Sequence, residues 1–150
     1  MSTTELHALL ADPALAGAYF VDARDRAAIS EAGNVLGFAV LAIELRDCCD
    51  ADEAMRRFAT TLQFPGWFGD NWDALADALA DLSWLPAPGY LLLLDHAQGW
   101  REAAPDEFDL LLEIVDEAAG RWAACGVAFW AMLPLPTAVL AAQDHQGMSE

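Results

Sequence analysis

The sequence predicts an α/β fold: a three-layer-like single domain in which a small, mostly parallel β-sheet is packed by helices. Three observations predict it. The chain has 150 residues, 56% of them hydrophobic, and a mean hydropathy of +0.25, enough for one sizeable core. Residues 38–45 (FAVLAIEL), 90–94 (YLLLL) and 127–133 (VAFWAML) are nearly unbroken apolar runs, which suit strands covered on both faces. Helical patterns lie between them, and strands alternating with helices mark an α/β layer fold.

Ser2 or Thr3 caps a first helix over residues 4–10. Residues 19–21 (YFV) make a short strand, and a second helix covers 24–35, ending near Gly37. After the 38–45 strand, Asp50 is an N-cap with Glu53 three residues on. It opens a helix to residue 62 in which Ala54, Phe58 and Leu62 share a face. Only Phe64-Pro65-Gly66 separates this from the next helix, so the pair forms a helical hairpin or corner. There Trp72, Leu75, Leu79 and Leu82 form a core stripe, while Asp70, Asp73, Asp77 and Asp81 form a carboxylate row. Residues 85–89 (LPAPG) turn the chain into the 90–94 strand. Pro105 begins a helix over 106–124, with Phe108, Leu111, Leu112, Val115, Ala119 and Trp122 toward the core. Asp106, Asp109, Glu113 and Asp116 line another face, and Asp106 and Glu107 also suit the helix N-terminus. Gly126 stops this helix, Pro134 and Pro136 end the sheet, and residues 141–150 form a frayed tail.

Charge is the second strong signal. Twenty-four acidic residues stand against seven arginines and no lysine, a formal net charge of −17. Between Asp70 and Glu117 the only arginine or lysine is Arg101. Such a field repels nucleic acid and attracts cationic proteins. Solubility alone also selects carboxylates, but four like charges on one helix row repel each other. That row, beside the aromatics of residues 64–72, suggests a surface shaped for a basic partner.

No apolar run approaches the ~20 residues that span a bilayer, so no membrane association is expected. The first ten residues lack the pattern of a secretory signal, and the cytoplasm is the expected location. Cys48, Cys49 and Cys125 are odd in number and lack metal-ligand spacing, so reduced thiols are expected, with no metal and no cofactor.

The run Trp67-Phe68-Gly69-Asp70-Asn71-Trp72-Asp73-Ala74-Leu75, followed by Asp77, resembles the core motif of the barstar family, small inhibitors of secreted microbial ribonucleases. The order strand, helix, motif helix, strand, helix, strand agrees as well. The resemblance covers residues 36–133, with residues 1–35 as a helix–strand–helix extension of the same domain and 134–150 as a C-terminal tail. It implies three family strands, to which the extension adds a fourth. It also implies that the motif helix and the loop before it plug the active site of a basic ribonuclease. Asp77 would then replace the RNA phosphate among the enzyme's cations, Asp73 would bind nearby, and Trp67 would pack on the rim. Gly69 and Asn71 would shape the loop, and Asp70 and Asp81 extend the partner-binding row. Two positions depart from the family pattern. Ala76 stands where the family has a tryptophan, and no carboxylate occurs over residues 121–125.

Other function classes leave different marks. An enzyme would use Asp95-His96, at the carboxyl end of the 90–94 strand, for acid–base or metal chemistry. No nucleophile motif, phosphate-cradling glycine loop or HxxxH spacing accompanies that pair, so the expectation is no catalytic residue. A nucleic-acid-mimicking decoy, or an immunity protein or antitoxin against a dedicated toxin nuclease, would rest on the same acidic surface physics as a ribonuclease inhibitor.

Overall fold

The computed structural model describes residues 2–66, 68–69 and 71–148, with side chains described as far as residue 142. Its elements are α1 (Thr3–Leu10), β1 (Ala18–Asp22), α2 (Arg26–Val35), β2 (Ala39–Glu44), α3 (Ala51–Leu62), α4 (Trp72–Asp81), β3 (Gly89–Asp95), α5 (Gln98–Ala103), α6 (Pro105–Ala124), β4 (Ala128–Leu135) and α7 (Thr137–Met148). Short 3-10 turns occupy Pro13–Leu15 and Ala23–Asp25. The four strands form one all-parallel sheet in the order β1-β4-β3-β2.

Strand order dictates where the helices go. From β1 the chain crosses to the far edge at β2, then steps back through β3 to β4. Crossovers between parallel strands are right-handed, so reversing the direction of travel moves the connecting helices to the opposite face. Two apolar clusters lie accordingly on the two faces. Tyr90, Leu92 and Leu94 of β3 and Phe129, Ala131 and Leu133 of β4 pack with Phe58, Leu75, Leu79, Phe108 and Val115 from α3, α4 and α6. Leu91, Leu93, Trp130 and Met132 point the other way, against Leu10 of α1 and Ile29 and Ala32 of α2. This two-sided cover explains the unbroken apolar runs.

The local signals are made as chemistry requires. The Ser2 hydroxyl accepts the Glu5 N–H at 3.2 Å, and Asp50 Oδ1 accepts the Glu53 N–H at 2.9 Å. Gly33 allows α2 to lie close to the sheet: a Cβ there would sit 2.8 Å from Leu91 Cδ2 and 2.9 Å from Val40 Cγ2. All three thiols are free; Cys48 is buried, and that burial raises its pKa, while Cys49 and Cys125 are exposed. Among the described residues no helix is long and apolar enough to cross a membrane, and no cluster of side chains could hold a metal.

Several expectations are revised. Residues 98–103 form α5, a helix too short to show a periodic pattern. Residues 137–148 are helical, where a frayed tail over 141–150 was expected; Thr137 Oγ1 lies 3.0 Å from both carboxylate oxygens of Asp22, tying the start of α7 to the end of β1. Strand β4 continues through Pro134 to Leu135. The Ala131 N–H points to β1, bonding Gly17 O at 3.0 Å, so by two-residue alternation the nitrogen of Pro134 faces β3. Pairing with β3 has ended by Met132, and the missing donor there breaks no ladder. Trp72 is half-buried against the core rather than inside it.

Gly33→Leu should force α2 off the sheet and destabilise the protein by about 1–3 kcal/mol. Chemical denaturation checks this, and an unchanged midpoint would contradict the close approach.

Candidate functional site

The acidic helix is positioned from both ends. At its start the Asn71 side chain accepts the Ala74 N–H at 2.8 Å, an N-cap bond, and its Nδ2 donates to Gly69 O at 3.3 Å. One amide thus fixes both the first turn of α4 and the loop leading into it. At its end Leu82 closes the helix in the left-handed region, φ 47°, a strained choice for a residue other than glycine. Burial of the Leu82 side chain in the core offsets that strain. The Leu79 carbonyl, one of those left over at a helix C-terminus, accepts the Trp122 indole N–H at 2.8 Å and so docks α4 on α6.

An aromatic group anchors the loop. Phe64 packs on Phe68 at 4.7 Å between centroids and meets Trp84 edge-on at 5.9 Å. The Trp84 indole donates to Leu62 O at 3.0 Å, and Phe68 N–H bonds Pro65 O at 3.0 Å. The positioning roles of Phe64, Phe68, Trp84 and Trp122 are not legible in the sequence alone. The density of aromatics over residues 64–72 was the available signal, but their partners on other elements were not visible in it.

On this frame Leu75, Ala78, Leu79 and Leu82 are buried, and Asp73, Asp77 and Asp81 are exposed on the other side of α4. Gly69 and Asn71 are exposed beside them. Trp67 and Asp70, also expected to meet a partner, lie outside the described residues. Ala76 is half-buried against the core, and Arg121 reaches Glu117 at 3.4 Å on the exposed side of α6. The second acidic row is exposed along its whole length, at Asp106, Asp109, Glu113 and Asp116. Asp116 Oδ1 also accepts the Ala18 N–H at 2.8 Å and pins edge strand β1 to α6.

The arginines are placed elsewhere. Arg24 pairs with Asp22 and holds its carboxyl below the usual carboxylate range. Arg56 and Arg57 both reach Glu53. Arg26, from α2, grips Asp95 through two bonds of 2.8 and 2.7 Å. Among the described residues no ion pair reaches Asp73, Asp77 or Asp81.

Asp95 and His96 do not form a catalytic pair. Asp95 is buried at the end of β3 with both carboxylate oxygens engaged by Arg26. His96 turns away with φ 57°; its Nδ1 lies 2.7 Å from Glu44 Oε1 and its Nε2 2.9 Å from an Arg46 nitrogen. Since arginine can only donate, Nε2 accepts and Nδ1–H donates to Glu44. Both ring nitrogens are therefore engaged in tying together the ends of β2 and β3.

Two outcomes are expected from this geometry. Asn71→Ala should cost about 1 kcal/mol of stability by removing the cap, read by denaturation, with the loss of helical order concentrated at residues 69–75 in hydrogen exchange. Arg26→Ala should cost about 1–3 kcal/mol, because it leaves the Asp95 carboxylate buried without its donors. A smaller loss for the double change Arg26→Met with Asp95→Leu would confirm that the unpaired charge is the cause.

No curated protein matches the chain. The profile of the family described as Barstar (barnase inhibitor) matches residues 38–134, from the residue before β2 to the penultimate residue of β4. That is well over half of the chain and takes in the whole of α3, the 63–71 loop, α4 and three of the four strands. The chain belongs to the barstar family.

Proposed function

We propose that the chain inhibits a basic ribonuclease by occupying its active site with α4 and the preceding loop. The observation that carries this reading is the row of Asp73, Asp77 and Asp81, exposed on α4 and reached by no ion pair among the described residues, while Arg24, Arg26, Arg56, Arg57 and Arg121 pair elsewhere. A ribonuclease binds phosphate with cationic side chains, so a fixed carboxylate can take the place of the substrate and accept charge-assisted bonds. Asp77, at the middle of the row, is the phosphate substitute, with Asp73 bound nearby. Gly69 and Asn71 shape the loop, and Trp67 and Asp70 contribute from it. Occupancy rather than catalysis is the mechanism, which needs neither metal nor cofactor. The target is a secreted or toxin enzyme, and the inhibitor protects the cytoplasm of the cell that makes both; in the toxin case it is an immunity protein.

The net charge of −17 adds steering toward a cationic target. Where the family has a tryptophan, Ala76 leaves a flatter surface, so the partner is expected to offer a larger side chain there.

Inhibition of a small basic ribonuclease, measured as loss of RNA cleavage at one chain per enzyme, tests the proposal. Asp77→Ala should weaken the complex by about 3 kcal/mol or more, because it strands buried cations without a counter-charge. Glu31→Ala, an exposed change on α2 at the other face of the sheet, should leave it unaltered. Equal effects of the two would contradict the assignment. The association rate should fall steeply as salt rises and the Debye length shortens below ~10 Å, and a salt-insensitive rate would count against steering.

A further inference from the structure

An apolar cavity of about 580 Å³ opens on the face of the sheet away from α4. Ile29 of α2 and Trp130 and Met132 of β4 make its floor, and all three are buried. Leu15 and Tyr19 form one rim, 47% and 46% exposed, and they are two of the four large apolar side chains left exposed among the described residues. The rim is built rather than loose. The Tyr19 hydroxyl donates to Leu15 O at 2.6 Å, and its ring lies 5.6 Å from that of Trp130. Leu140 of α7 forms a further wall.

Among the described residues only two charged side chains line the cavity, and both are carboxylates. Asp22 is already committed to Arg24 and Thr137. Asp25 is exposed and, among the described residues, takes part in no hydrogen bond or ion pair. The volume lies within the ~300–1,000 Å³ usual for small-molecule sites, which are mostly apolar with a few polar groups that fix orientation. An aromatic pair beside a carboxylate suits a cation, because ring faces and carboxylates both attract positive charge. The net charge of −17 disfavours an anionic ligand here as elsewhere on the chain.

We infer that this cavity binds a small amphiphilic cation, its apolar body lying on Trp130, Met132 and Ile29 and its ammonium group meeting Asp25 at the rim. The site is independent of the acidic helix and would hold whether or not the chain inhibits a ribonuclease. Because β1, α1, α2, β4 and α7 all contribute to its walls, an occupant would also fasten the N-terminal elements to the sheet.

Calorimetric titration of the full chain with phenylbutylammonium, phenylbutanol and phenylbutyrate tests this, since the three share one body and differ in the head group. The ammonium compound should bind at one saturable site per chain, roughly fivefold tighter than the alcohol, with the carboxylate weakest. Asp25→Asn should abolish the preference for the ammonium over the alcohol. Ala28→Trp, made from an exposed position on α2 that lines the cavity, should fill it and remove binding of all three. Leu15→Arg, at the exposed rim, should weaken the cation without touching the core. Absence of a saturable site, equal binding of ammonium and carboxylate, or undiminished binding in both Ala28→Trp and Leu15→Arg would overturn the inference.

Discussion

Every residue of β3 from Gly89 to Asp95 is buried, and a parallel strand in that state needs an apolar layer on each face. The rest of the chain meets this constraint. Helices α3, α4, α5 and α6 cover one face, and their packing leaves the outer side of α4 free to carry charge. The elements before β2 cover the other face, where Leu91, Leu93, Trp130 and Met132 would otherwise meet water. Residues 1–35 lie outside the part of the chain matched by the family profile, yet they bury half of its central strands' side chains. They also supply Arg26, the partner of Asp95, the one buried charged residue among those described.

Charge is partitioned along the same lines. Arg24, Arg26, Arg46 and Arg57 gather around the carboxyl ends of the strands, where Arg24 and Arg26 pair with Asp22 and Asp95, the Arg46 guanidinium bonds His96 and Arg57 bonds backbone carbonyls. Arg57 donates to both Glu44 O and Arg46 O, so its guanidinium fastens the β2–α3 connection. Among the described residues no ion pair reaches the carboxylates of α4. Mutual repulsion along its carboxylates disfavours the helix by tenths of a kcal/mol, on the order of 0.5 per pair, whereas burying Leu75, Leu79 and Leu82 stabilises it by roughly 1.5–3 kcal/mol each. Packing therefore wins, and the helix can present like charges without unwinding.

Legibility in the sequence followed the range of each interaction. The three apolar strands, the Asp50 cap, a first-helix cap at Ser2 or Thr3 and the two faces of α4 were readable because each is decided within a few residues. The short helix α5 was not, since six residues hold too little periodicity, and α7 was not, because its anchor is Asp22, 115 residues away. Pro134 looked like a strand terminator, and only the early end of β3 pairing makes it tolerable. At the site, the row Asp73, Asp77 and Asp81 was visible from spacing, whereas the aromatic anchor of Phe64, Phe68 and Trp84 depends on α3 and α4 returning to one place. Asp116 shows both cases: its spacing placed it in an exposed acidic row, where it lies, while its second role as acceptor for a backbone N–H 98 residues away was not visible locally.

By itself the sequence determined the alternation of strands and helices, the two-sided burial of the sheet and the presence of a carboxylate face on the motif helix. Each is a matter of periodicity and composition, which act locally and survive any arrangement of the elements. Only the tertiary structure decided which carboxylates keep their charge available. Asp95 is neutralised by Arg26, 69 residues away in the chain, while among the described residues no ion pair reaches Asp73 or Asp77, because a charge is neutralised by the opposite charge that lies next to it in space.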